Sequence, residues 1–245
     1  MTINESIKLK LLLGSPFQID NICSIKPLTL RQIVEIGHDK YNYYLSNLTA
    51  EVEDYNIPNI DSSQYTYWDV LVTNMIHGDI SYYQMIIEAI NLFVGDRVEF
   101  DRENGWFCTK EKNIRKEIKE INKEIFDEIR QVLRWQNCIE KKSQEKMANS
   151  KAEEIRQKIL KGRQELNKKN KNEVTFDDLI SVLAAHGNNL NILNIWDLTM
   201  YQFNNQFNRM QMIEDYDINI RYLLAGAKGD DIKLKHYIRP INANI

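Results

Sequence analysis

The chain has 245 residues, 43% of them hydrophobic and 27% charged, with a formal net charge of −3. That length allows one or two domains with a sizeable core, and the composition excludes wholesale disorder. A slightly acidic chain argues against a surface built throughout to hold nucleic acid, and nine Gly and four Pro favour long helices over a turn-rich β fold. No charged n-region leads into an apolar h-region at the N-terminus, and no apolar run approaches the roughly 18 residues of a membrane span, so a soluble, cytosolic chain is expected. The cysteines, Cys23, Cys108 and Cys138, are odd in number, far apart and without a CxxC pair, which makes reduced thiols the default.

From the N-terminus, Ile7 to Leu13 alternates apolar and basic residues before a Gly14-Ser15-Pro16 turn, and Phe17 to Ile19 begins a second extended run. This predicts a small β-hairpin, extended by Ile22 to Ile25 and closed by Pro27. Thr29 stands three residues before Gln32, the spacing of a capping box. Leu30, Ile33, Val34, Tyr41, Tyr44, Leu45 and Leu48 then share a helical face, predicting a first helix over 30–48 that Gly37 weakens. Residues 49–63 are acidic and broken by Pro58, as in a loop. Two apolar-rich helices follow, Tyr67 to Ile76 and Tyr82 to Val94, with Ser81 and Gln84 at capping-box spacing before the second. Val98 to Phe100 and Trp106 to Cys108, on either side of Asn104-Gly105, predict a hairpin.

Between Lys110 and Lys171 the balance turns basic, with 19 Lys and Arg against 11 Asp and Glu. Ile114, Ile118, Ile121, Ile125, Ile129, Val132 and Leu133 keep a near-heptad spacing there, which predicts one long helix over 113–138. After a polar break, 151–167 reads as a helix with a thin stripe of Ala152, Ile155, Ile159, Leu160 and Leu166. Thr175 and Asp178 open a short helix, Phe176 to Ala185, that Gly187 ends.

Residues 195–228 carry the longest periodic pattern. Met200, Phe203, Phe207, Met210, Ile213, Tyr216, Ile220, Leu223 and Ala227 recur at intervals of three or four, predicting one helix from Thr199 to Ala225, about 40 Å long. A stripe of that length needs burial, in the chain's own core or against a partner. The core reading predicts that Phe203 and Phe207 are both buried. The tail, 232–238, alternates loosely and reads as a last strand or an extended arm.

No motif for catalysis, phosphate cradling or dinucleotide binding occurs. His38, His77, His186 and His236 each lack a second ligand-type residue at metal spacing on a clear helix face. Tyr41-Tyr43-Tyr44 and Tyr65-Tyr67-Trp68 could stack on a base or a sugar, but aromatics at helix spacing more often form core. The basic middle could track phosphates, yet its charges are interleaved with acids as in a solvated helical hairpin. No catalytic, cofactor-binding or metal-binding residue is expected, and the chain is not expected to be an enzyme.

Three stretches together resemble a family of proteins encoded in the tail-gene region of long-tailed phages and prophages of Gram-positive bacteria. They are IKPLTLRQIVEIG with the following KYNYYL, INKEIFDEIRQVLRWQN (121–137) and WDLTMYQFNNQFNRMQMIEDYDINIRYLLAGAK (196–228). The resemblance implies a tail assembly chaperone, which keeps the tape-measure protein soluble in the host cytoplasm while the tail tube grows around it. It carries no functional residue over position by position. Two other readings remain open: a structural subunit of the tail or neck retained in the virion, and a nucleic-acid-binding accessory protein.

The expected fold is mainly α, with small β elements near 7–25 and 98–108 and long central and C-terminal helices. The expected organisation is an N-terminal α+β region (1–109), a basic helical hairpin or arm (110–172), and a C-terminal helical region (173–245) packing on the first. The expected partner is the tape-measure protein or another tail protein, with neither membrane nor nucleic acid. The meagre stripe of Ala152, Ile155, Ile159 and Leu166 is the candidate docking face, the alternative being a solvated arm.

Overall fold

A computed structural model describes residues 3–54, 64–110, 119–139, 174–187, 189–226 and 234–241. The chain divides into two compact units, one of Met1–Ile139 with Trp196–Ile245, the other Glu140–Ile195. The architecture is mainly helical with two small antiparallel sheets, as the composition and periodicity imply.

The first unit opens with a helix where alternation predicts a strand. Helix α1 spans Glu5–Leu13. Asn4 Oδ1 accepts the Ile7 N–H at 2.9 Å, and Gly14, at φ 72°, ends the helix with the cap N–H groups on the carbonyls of Leu11 and Lys10. Ile7 and Leu11, one helical turn apart, are buried, while Leu9, Leu12 and Leu13 stay exposed. A cap at each end and an i, i+4 pair outweigh the alternating pattern. The hairpin lies later, β1 (Phe17–Ile19) pairing with β2 (Cys23–Ile25) in the register Phe17 to Ile25.

The capping box of Thr29 and Gln32 forms as its spacing implies, but the helix it starts is short. Helix α2 (Leu30–Ile36) stops at Gly37, at φ 99°, and α3 (His38–Thr49) continues from there. Glycine takes that left-handed conformation without a Cβ penalty, so the expected single helix is two. Helix α4 (Tyr67–His77) starts at a Thr66–Asp69 capping box. In α5 (Ile80–Phe93) the cap is Asp79, which accepts the Ser81 N–H, rather than Ser81 with Gln84.

The second sheet has the order β3 (Arg97–Asp101), β4 (Trp106–Lys110), β5 (Lys119–Ile121). Its hairpin agrees with the sequence reading; its third strand corrects it. Ile121, assigned by spacing to a helix over 113–138, is a buried strand residue opposite Phe107. Asn122 then caps α6 (Lys123–Gln136) by accepting the Ile125 N–H at 3.0 Å. Residues 111–118 lie outside the described residues. The core of this unit gathers where α6 crosses the sheet and α4: Phe126 meets Phe107, Trp68 and Tyr67 at centroid distances of 5.6, 5.4 and 6.2 Å. Tyr41, Tyr44 and Tyr67 are thus core residues.

In the second unit, α7 (Phe176–His186) begins where the Thr175 N–H and hydroxyl both donate to Asp178, at 3.0 and 2.8 Å, and ends at Gly187. Ile180 and Leu183, on one face, are buried.

Candidate docking surface on the C-terminal helix

Helix α8 spans Met200–Leu224 and returns the chain to the first unit. Thr199 and Gln202 form a capping box at its start. The Leu30 N–H donates to the Leu198 carbonyl at 2.8 Å, and Gln202 Nε2 donates to the Leu12 carbonyl at 2.8 Å, so the first turn is tied to α1 and α2. Tyr201 and Phe203 are buried there.

Beyond that turn the burial ends. Phe207 is only partly covered, contrary to the core reading, and no residue of α8 after Phe203 is buried. The stripe also turns around the helix as it runs outward. From Met200 to Leu223 it repeats in steps averaging about 3.3 residues, shorter than the 3.6 of the helix, so it slips round by roughly 30° per step. By Tyr216 it faces away from the side on which Phe203 is buried. A straight helix cannot bury such a stripe against one surface.

The two sides of the outer half meet different surroundings. On one side, residues 234–241 double back along the helix as an irregular strap, the extended arm rather than the strand foreseen for the tail. Arg209 Nη1 donates to the carbonyl oxygens of Tyr237 and Arg239 at 2.8 and 2.9 Å. The Tyr216 ring lies 5.1 Å from that of His236 and 5.5 Å from that of Tyr237. The other side, about 180° away at 100° per residue, carries Phe207, Ile218 and Tyr222. Ile218 is 48% exposed and Tyr222 58%. Glu214, Asp215 and Asp217 place acidic charge around this apolar surface.

The residues singled out by sequence, Ala152, Ile155, Ile159 and Leu166, lie outside the described residues. Of the outer face of α8 the stripe read from the sequence included Phe207 alone; Ile218 and Tyr222 fall outside it. Among the described residues no group of three or more His, Cys, Asp or Glu is placed to hold a metal ion, and no helix is long and apolar enough to cross a membrane. Burial pushes the thiols of Cys23 and Cys138 up, to about 12 and about 11.

Residues 167–242 match the family model of the YomV second domain, a phage-associated family named for a Bacillus prophage protein. That stretch takes in α7, α8 and the strap. No curated protein and no solved structure matches the chain significantly.

Proposed function

We propose that the protein is a phage-encoded tail assembly chaperone, a non-enzymatic binder that keeps a tape-measure protein soluble by holding one of its helical segments. The observation that supports this is the outer face of α8, where Phe207 is partly covered and Ile218 and Tyr222 are exposed. Exposed large apolar side chains on one helix face are characteristic of interaction surfaces, and an amphipathic client helix would cover them by laying its own stripe alongside. Similarity to a phage-associated domain over 167–242 is in keeping with this role. Ala152, Ile155, Ile159 and Leu166 are a second candidate stretch for the same client.

The test is co-expression with the tape-measure protein of the same phage. The client is expected to stay soluble and co-purify, to survive moderate salt because the contact is apolar, and to be lost with Ile218→Asp plus Tyr222→Asp. Ile155→Asp plus Ile159→Asp tests the second stretch in the same assay. A client equally soluble without this protein would sink the chaperone reading. Recovery of the protein in purified virions would favour a structural subunit instead, and binding to DNA or RNA that collapses with salt would favour a nucleic-acid accessory role.

A further inference from the structure

The outer face of α8 carries its charges in a definite pattern. With Phe207 as reference and 100° per residue, Ile218 and Tyr222 fall about 20° and 60° to one side. Asp215 falls about 80° to that side and Asp217 about 80° to the other, so an acid borders each edge of the apolar strip. Both aspartates are exposed, as are Ile218 and Tyr222. Glu214 lies along the strip itself, about 20° from Phe207. Arg221, exposed near the Asp217 edge, offsets one of these three negative charges. The basic residues of the strap, Lys235 and Arg239, belong to the opposite side, where Arg209 and Tyr216 hold it.

We propose that this face selects a client helix carrying Lys or Arg on both flanks of its apolar stripe. The proposal deepens the chaperone reading and rests on its docking face. The strip from Phe207 to Tyr222 runs about 22 Å at 1.5 Å per residue, so about three heptads of client cover it. A helix laid along it brings the positions beside its own stripe over Asp215 on one edge and Asp217 on the other, as the flanking charges of a coiled coil do. Cations there are attracted at both edges, and acids are repelled at the same two points. Burial of apolar surface thus supplies the affinity, and the aspartates supply the choice. The same acids repel phosphate-bearing surfaces, whether nucleic acid or anionic lipid.

The test uses the full chain and synthetic peptides, and needs no tape-measure protein. Two labelled peptides of about three heptads share one leucine stripe and differ in their flanks, Lys in one and Glu in the other. A third keeps the Lys residues with the stripe scrambled. Fluorescence anisotropy should show the Lys-flanked peptide binding about tenfold or more tighter than the Glu-flanked one, since exposed pairs contribute a few-fold each and repulsion widens the contrast. The preference should shrink as salt screens it, and the scrambled peptide should bind weakly throughout. Asp215→Lys plus Asp217→Lys should reverse the preference, and Asp215→Asn plus Asp217→Asn should abolish it, with helicity by circular dichroism unchanged. Equal binding of the two flanked peptides, scrambled peptide bound as tightly, or a preference untouched by the aspartate substitutions would each overturn the proposal. So would a chain that associates with itself in sedimentation velocity and takes neither peptide. The peptide preference together with a tape-measure protein equally soluble without this chain would support the proposal and sink the chaperone reading alone.

Discussion

Glu51 sits between two buried guanidiniums, and replacing it with Gln should destabilise the first unit strongly. Arg134 Nη2 donates to Glu51 Oε1 at 2.8 Å, and Arg130 Nη2 lies 3.5 Å from Oε2. The same arginines hold the end of α3: Arg130 Nε donates to the Leu48 carbonyl at 3.1 Å, Arg134 Nη2 to that of Thr49 at 2.8 Å, and Arg130 Nη2 to that of Ala50. Those carbonyls lack helical partners. The Arg130 guanidinium also lies 4.0 Å over the Tyr67 ring. Burial first, then the neighbouring Arg130, pushes the Arg134 pKa down, while Glu51 opposes both. With Gln at position 51 the acid left beside the two cations among the described residues is Asp127, half exposed and 3.0 Å from Arg130. Removing one partner of a buried pair costs about 3–5 kcal/mol. The Glu51 side chain is 23% exposed, which places the expected loss near the lower end, about 3 kcal/mol. At about 2–4 °C per kcal/mol for a unit of this size, the melting temperature should fall by roughly 6–12 °C. Thermal melts followed by circular dichroism measure this, with urea unfolding as the isothermal check. Adding Arg134→Met should restore part of the loss, because it removes the orphaned charge. A melting temperature within about 2 °C of the parent for Glu51→Gln would refute the reasoning and mean that water screens the pair.

Three other outcomes follow from packing and protonation. Phe203→Ala should cost about 3–5 kcal/mol because Phe203 is enclosed, while the partly covered Phe207→Ala should cost clearly less, both read from urea midpoints; equal costs would mean that the outer helix is covered in solution. The hydroxyl and N–H of Thr66 hold the Asp69 carboxyl below its usual range, so the folded state binds fewer protons there than the unfolded one. Its contribution is then full above about pH 4 and lost as pH falls through the lower folded value, and Asp69→Asn should approach parental stability in acid but trail it at neutral pH. With their thiol pKa values raised to about 12 and about 11, Cys23 and Cys138 should react slowly with an aromatic disulfide reagent at mildly alkaline pH in the native chain, and quickly once urea unfolds it.

What the residues determined alone was local and periodic. The boxes of Thr29 with Gln32 and of Thr175 with Asp178, the stop at Gly187, the 98–108 hairpin and the start of the last helix at Thr199 each depend on groups within a few residues of one another. Such interactions are written in spacing. Tertiary structure decided the rest. Ile121 fits a heptad as well as a strand, and only pairing with β4 assigned it. Ile7 to Leu13 fits a strand as well as a helix, and the seat of Ile7 and Leu11 in the core made the choice. Arg130 and Arg134 look like the charged flank of an amphipathic helix until the end of α3, some 80 residues earlier, brings them carbonyls and Glu51. The same holds for α8: its periodicity proclaimed a helix with an apolar stripe, but which part of that stripe is core depends on where α1, α2 and the strap lie around it. A residue's periodicity is set by its own helix, whereas its burial is set by neighbours that arrive from distant parts of the chain.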